Sequence, residues 1–394
     1  MLYFLLACWT KNPGRIPIQD AQEWKKPEIY PRQQEEILQI KFGYGAAYDS
    51  IGFEGTAFVM SSLWFDELRY PYSFSIGQEE SVLQIVIPSA ELDFAMQHVA
   101  EVLQHPNWDE QKLQQMKHET KTYLEEVEYE NPLYAAEGVL SRWVFTGHPY
   151  EFGTMGRRGS LEAIDIFCVE GFFQRNIIRS ELEIAWFGTE AVLPKLETLQ
   201  VLLSDIPVAK NIPPTPKKIE SPSSRILNVA VEREFVITFG AIVENVSREE
   251  RESLAIMESL LCGTQRNAWE RHYRYQAPLF LCSFYDSSGM KVLNTFEDFV
   301  AVWNDVEKID IELLQKEKSK EGNFYNPSYT HWDLDSLDMQ KIQKTFVQLQ
   351  KRMRPSLAVL LPPNLENAHG IESIFSGVVQ DYETLNFSID EVYR

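Results

Sequence analysis

Glu36-Ile37-Leu38-Gln39-Ile40-Lys41-Phe42 alternates apolar and polar positions and runs into Gly43-Tyr44-Gly45, the period-two signature of a half-buried strand. The segment from Gly55 to Leu63 follows as a helix, and Ser81 to Pro88 predicts a second strand. Leu92, Ala95, Met96, Val99 and Leu103 then recur at helical spacing, before a long acidic helix over about residues 109 to 130. Glu183 to Gly188 predicts a further strand. Beyond it, Pro207, Pro213, Pro214, Pro216 and Pro222 exclude a helix interior or a central strand and mark a linker. The order then repeats: strand Phe235 to Gly240, helix Arg248 to Leu261, strand Leu279 to Tyr285, helices over about 296 to 319 and 336 to 352, and strand Leu357 to Leu361. Strands alternating with long helices, twice over, predict two α+β domains related by internal duplication.

Composition narrows the function classes. With 394 residues the chain is long enough for two cores. Its 37 basic and 58 acidic residues give a formal charge of -21, which argues against a phosphate-binding surface. Lys and Arg form no stripe interleaved with aromatics, so nucleic acid is set aside, and no apolar run reaches the length of a membrane span. Neither half has a Gly-rich phosphate loop after a strand. Cys168, Cys262 and Cys282 stand apart without a CxxC and are read as buried free thiols. Leu5-Leu6-Ala7-Cys8 has the form of a lipobox, but the seven residues before Cys8 include no Lys or Arg. Two readings stay open: Cys8 is lipidated and the chain belongs to the bacterial cell envelope or periplasm, or the match is chance and the chain is cytoplasmic.

The helix beginning Gly55-Thr56-Ala57-Phe58-Val59-Met60-Ser61-Ser62 resembles the zinc-binding helix of the M16 (insulinase or pitrilysin) peptidases, which reads Gly-x-Ala-His-x-x-Glu-His. Phe58 and Ser62 stand at the two histidine positions, and Ser61 at the glutamate. A phenyl ring has no lone pair for zinc, and a neutral serine is a poor ligand and a poor base. The resemblance extends to Gly147-His148-Pro149-Tyr150, Gly153-Thr154-Met155-Gly156, Ser160 to Ile164, Phe172-Phe173, and the segment from Leu260 to Arg271. It spans about residues 28 to 363. It implies duplicated M16/LuxS-like metallohydrolase-type α/β-sandwich domains over 28–206 and 225–394, with an N-terminal segment 1–27 and a linker 207–224.

The family's third zinc ligand is a glutamate on the long helix before an Asn-Pro stop, and Glu125 lies close to that place ahead of Asn131-Pro132. One carboxylate without the histidines makes no zinc site, so this helix is read as a solvated acidic face and no cofactor is expected. Active members also use an Arg and a Tyr of the second domain on the substrate backbone. Arg271 matches the Arg; Tyr273 and Tyr275 are near the Tyr position but out of register. His98, Glu101 and His105 share a helix face, which reads more readily as polar surface than as a metal site. No Gly-x-Ser-x-Gly and no cysteine-nucleophile signature is present.

Two functions follow from the resemblance. The first is a non-catalytic subunit that pairs with an active zinc M16 chain, as a heterodimer or with itself, and helps form a peptide-binding chamber. The second is a structural or assembly protein with the same fold and no proteolytic role. A peptidase with relocated ligands is a third, weaker reading. Membrane contact would come only through Cys8.

Overall fold

The structure, a computed structural model, describes residues 16–17, 28–30, 36–189, 192–210, 224–231, 235–244, 246–262, 279–286, 288–312, 338–362 and 368–388. The chain divides into two compact units: Met1–Glu125 with Phe152–Thr215, and Glu126–Glu151 with Pro216–Arg394. Residues 126–151 thus go with the second unit, whereas the division expected from sequence placed them in the first.

In chain order the elements are β1 (Glu28–Tyr30), β2 (Ile37–Phe42), α1 (Thr56–Phe65), β3 (Tyr72–Ile76), β4 (Ser81–Val86), α2 (Leu92–Gln104), α3 (Glu110–Glu130), α4 (Pro132–Val144), α5 (Arg158–Ala163), α6 (Ile166–Asn176), β5 (Leu182–Phe187) and α7 (Leu193–Leu202). They continue as β6 (Arg225–Ala230), β7 (Val236–Ile242), α8 (Arg248–Cys262), β8 (Leu279–Tyr285), α9 (Gly289–Asn304), α10 (Met339–Gln350), β9 (Arg354–Leu361), α11 (Ala368–Ser376) and β10 (Glu383–Ser388).

The first unit carries the sheet β1-β5-β2-β4-β3 and the second the sheet β8-β7-β9-β6-β10. Four strands of each superpose in order and sense. β1 is parallel to β5, β5 antiparallel to β2, and β2 antiparallel to β4. Likewise β6 is parallel to β9, β9 antiparallel to β7, and β7 antiparallel to β8. The duplication read from the sequence is present in the sheets. The fifth strand differs: β3 extends the first sheet beyond β4, while β10 extends the second beyond β6.

Burial explains the elements. The alternating Leu38, Ile40 and Phe42 of β2 are buried, and the rings of Trp64 and Phe65 on α1 lie 5.5 and 5.9 Å from that of Phe42. Helix α2 buries Ala95, Met96, Val99, Ala100, Val102 and Leu103, and its Val102 carbonyl accepts the Trp64 indole N–H at 2.8 Å. Helix α3 buries Leu113, Thr120 and Leu124 and leaves Glu110, Glu119 and Glu126 exposed, as a solvated acidic helix should.

All seven residues of β7 are buried, because the second sheet is covered on both faces. Helix α4 packs across β7, β8 and β9. Gly240 on β7 makes room for it: a Cβ there would fall 2.2 Å from Leu140 Cδ2. Arg225 lies over the Trp143 ring at 4.2 Å and pairs with Glu383 at 2.9 Å, tying α4, β6 and β10 together.

Several expectations change. Helix α9 begins at Gly289 and ends at Asn304, not at 296 and 319; Asp305 breaks it and takes an ion pair from Lys308 at 2.6 Å. Strands β1, β3, β6 and β10, and the role of α4, were not anticipated. The cysteines are not free thiols. Cys262, the last residue of α8, is bonded to the fully buried Cys282 of β8, with Cα atoms 5.2 Å apart, and Cys168 is disulfide-bonded as well. Cys8 and most of the linker (residues 211–223) lie outside the described residues. Among the described residues no helix is long and apolar enough to cross a membrane.

Candidate functional site

Helix α1 starts from a backbone position that only a residue without Cβ adopts easily: Gly55 has φ 98°. A Cβ on it would lie 2.5 Å from the Met155 carbonyl oxygen. Gly156 (φ 78°) faces it from the other side, where a Cβ would meet the Glu54 carbonyl oxygen at 2.0 Å. Ser160 Oγ donates to that same carbonyl at 2.7 Å, which ties α5 to the start of α1. The cap comes from outside the helix. Asp49 accepts the Gly55 N–H at 2.7 Å and the Ala57 N–H at 2.8 Å, one on each carboxylate oxygen. Burial pushes its carboxyl well above the usual carboxylate range, against the pull of those donors.

On α1 the three motif positions are occupied as apolar and backbone-bonded sites. Phe58 is half-buried with its ring 5.7 Å from that of Phe74 on β3. Ser61 is fully buried and donates to the Ala57 carbonyl at 2.8 Å. That leaves the Tyr44 hydroxyl to donate to Ser61 Oγ at 2.7 Å. Burial pushes the Tyr44 phenol far above the ordinary tyrosine range, so it stays a neutral donor. Ser62 donates to the Phe58 carbonyl at 2.9 Å. Both serine protons are committed one turn back along the helix, and Ser61 has no access to a substrate. These residues do not fit a zinc ion: the set offers no nitrogen and no carboxylate.

Glu125 on α3 is half-exposed and 3.9 Å from the Arg158 guanidinium, a loose surface pair. His98 accepts the Arg69 N–H on Nε2 at 3.2 Å and stacks on Phe94, while His105 is the residue that ends α2. Among the described residues no group of three His, Cys, Asp or Glu side chains could hold a metal ion. Arg271, Tyr273 and Tyr275 lie outside the described residues.

Sequence reasoning missed the strand beside the helix. Among the described residues strand β3 is one of the two edges of the first sheet. Val86 donates to Pro71 and Gly77 donates to Glu80, which fixes the register with β4. Ser73 and Ser75 therefore bond β4, and the N–H and C=O groups of Tyr72, Phe74 and Ile76 point away from it. Phe74 packs between Phe58 and Phe65, at 5.7 and 5.5 Å. The signal was the alternation Tyr72-Ser73-Phe74-Ser75-Ile76, short and preceded by Pro71. An open strand edge can take up an extended peptide by main-chain pairing.

No family model and no curated protein matches the chain by sequence. Solved structures do match. A protease from Helicobacter pylori is similar at TM-score 0.64 and 13% identity, over 88% of this chain and 100% of that one. A peptidase M16 inactive domain from Pseudomonas fluorescens is similar at 0.65 and 13%, over 85% and 94%. A chain of complex III2 from Candida albicans is similar at 0.68 and 10%, over 88% and 96%. At such low identity the likeness speaks to the fold. The chain has the duplicated fold of the M16 peptidases, with Phe58, Ser61 and Ser62 at the spacing of that family's zinc motif.

Proposed function

We propose that this chain is a non-catalytic M16-like subunit that pairs with a second M16 chain carrying an intact zinc motif and contributes a peptide-binding surface to their shared chamber. One observation carries the reading: Ser61 is sealed and hydrogen-bonded to Tyr44 where a general base would be needed, while among the described residues no strand pairs with the outer edge of β3 beside the same helix. The chemistry is absent and a peptide-binding element is kept. Arg271, Tyr273 and Tyr275 are proposed as further contacts to the peptide backbone. The acidic surface favours basic peptides by an attraction that salt weakens. The Cys262–Cys282 bond supports an oxidising compartment.

The test is to express the chain with and without an M16 protein, encoded beside it, that has an intact His-x-x-Glu-His. The pair should copurify and cleave peptides that neither chain cleaves alone. Zinc at one equivalent in the isolated chain, together with peptidase activity lost on Glu125→Gln, would overturn the proposal. The structural or assembly reading is favoured by the likeness to a complex III2 chain. A stable homodimer that binds no peptide and leaves every tested M16 peptidase unchanged would establish it.

A further inference from the structure

The chain has four cysteines: Cys8, Cys168, Cys262 and Cys282. Among the described residues none is free: Cys262 is bonded to Cys282, and Cys168 forms a disulfide of its own. That second bond needs a second sulfur, and in this chain only Cys8 is left to supply it. Cys168 stands on the first turn of α6, 3% exposed and packed in the core of the first unit, with its N–H held by the capping carboxylate of Asp165 at 2.9 Å. A cysteine of another folded molecule would have to enter that packing, whereas one on a terminal segment of the same chain can be built into it.

The N-terminal segment enters the first unit within reach of this sulfur. Ile16 and Pro17 pair antiparallel with Lys210 and Ala209, which lie against the turn Arg179–Glu181. Arg179 donates from its N–H to the Pro207 carbonyl at 2.9 Å and from its guanidinium to the Ser204 carbonyl at 2.8 Å, which fixes that turn to the chain leading into Lys210. Helix α6 ends at Asn176, three residues before the turn. From Asn176 back to Cys168 is about 12 Å of helix. The stretch from Ile16 back to Cys8 spans up to about 26 Å when extended, enough to pass the turn and run along the helix. One turn beyond Cys168, the rings of Phe172 and Phe173 lie 5.6 Å from Tyr44 and 5.0 Å from Trp64, so α6 is the layer behind the motif helix α1.

We propose that Cys8 and Cys168 form a disulfide that fastens the N-terminal segment to α6. The two thiols give up two protons and two electrons to the disulfide of a thiol oxidoreductase, which is reduced to its dithiol as the new S–S bond forms. A cysteine sulfur makes one bond beyond its Cβ, so Cys8 in this crosslink carries no diacylglyceryl thioether. The bond thereby separates two properties that the lipobox joined: the compartment is oxidising, and Cys8 is not a lipid anchor in it. Each unit then holds one crosslink on a helix packed beside its sheet, Cys168 on α6 and Cys262 on α8. None of this depends on peptide binding.

The test isolates the full chain from its own cells without reductant, alkylates it under denaturing conditions, digests it with trypsin and reads the peptides by mass spectrometry. Cys8 falls in Met1–Lys11 and Cys168 in Gly159–Arg175. The two peptides should appear as one species, two hydrogens lighter than their combined mass, and separate on reduction. Cys8→Ser, which removes no buried sulfur of the core, should leave Cys168 as a thiol that takes up the alkylating reagent, with the Cys262–Cys282 bond retained. A diacylglyceryl mass on Cys8 would overturn the proposal. So would Cys168 recovered alkylated from the parent, or Cys168 joined to a second molecule as a dimer on a non-reducing gel.

Discussion

The two units share four strands in the same order and sense, yet they begin their equivalent helices by different means. Helix α1, which follows β2, starts at a left-handed glycine and is capped by Asp49 from six and eight residues upstream. Helix α8, which follows β7, starts with a local capping box. Ser247 Oγ accepts the Glu250 N–H at 3.2 Å, and Glu250 accepts the Ser247 N–H at 2.7 Å. The first start is set by tertiary packing, the second by four consecutive residues. The fifth strands differ as well, β3 at one end of its sheet and β10 at the other. The common core is what the apolar pattern dictates, and the units diverge at sheet edges and helix starts.

If tertiary packing holds α1, the largest effect should come from its tightest contact. Gly156→Ala puts a Cβ 2.0 Å from a backbone oxygen at a position of φ 78°. Left-handed strain and overpacking together predict a loss of about 4 kcal/mol, read by urea unfolding. A loss below about 1 kcal/mol would mean that the Glu54–Gly55 and Met155–Gly156 segments are free to separate, and that α1 is held by its own sequence after all.

This contrast also explains what could be read in advance. Strands β2, β4, β7 and β9 announce themselves by alternation or by apolar runs, because both signals come from burial of their own side chains. That Phe58, Ser61 and Ser62 offer no nitrogen and no carboxylate to a metal was legible in residue types alone. The Tyr44–Ser61 bond spans seventeen residues and depends on how β2 and α1 pack, so no local pattern encodes it. The assignment of α4 to the second unit depends on Gly240 facing Leu140 from a hundred residues away, and a lone strand glycine carries no such address. Cysteine spacing likewise gave no pairing for Cys262 and Cys282, which meet only once α8 packs beside β8.

In the second unit the corresponding constraint is covalent. Replacing Cys262 and Cys282 together by Ser should cost about 3 kcal/mol, the loop-closure value for a crosslink of this span. Reductant should lower the melting temperature of the parent by more than that of the double variant, which keeps the disulfide at Cys168. Two free thiols at these positions in the purified, unreduced protein, found by alkylation and mass spectrometry, would break the contrast and remove the argument for an oxidising compartment.

A smaller effect is expected where α4 meets its sheet. Gly240→Ala should cost about 2 kcal/mol by pressing on Leu140, and Leu140→Ala in the same chain should recover part of that loss by making room. Simple additivity of the two costs would mean that Leu140 does not sit against Gly240, and would undo the placement of α4 in the second unit.

The smallest effect tests the local start of α8. Glu250→Gln keeps the size of the side chain but weakens its bonds to the Ser247 N–H and to Arg352, which pairs with it at 2.7 Å. The expected cost is about 1 kcal/mol near neutral pH. The Ser247 N–H, opposed by partial burial and assisted by Arg352, lowers the Glu250 carboxyl below its ordinary 4.5. A lowered folded-state value means that the contribution is present above the unfolded value and is lost as pH falls through the folded one. The stability difference between parent and variant should therefore be constant from pH 7 to about pH 5.5 and shrink below about pH 4.5. For α1, where Asp49 is pushed upward instead, the sign reverses, and the contribution of that carboxyl should be largest at low pH and decline as pH rises. Opposite pH trends for Glu250→Gln and Asp49→Asn would show that the two helix starts differ in electrostatics as well as in geometry; parallel trends would reduce the difference to one of geometry alone.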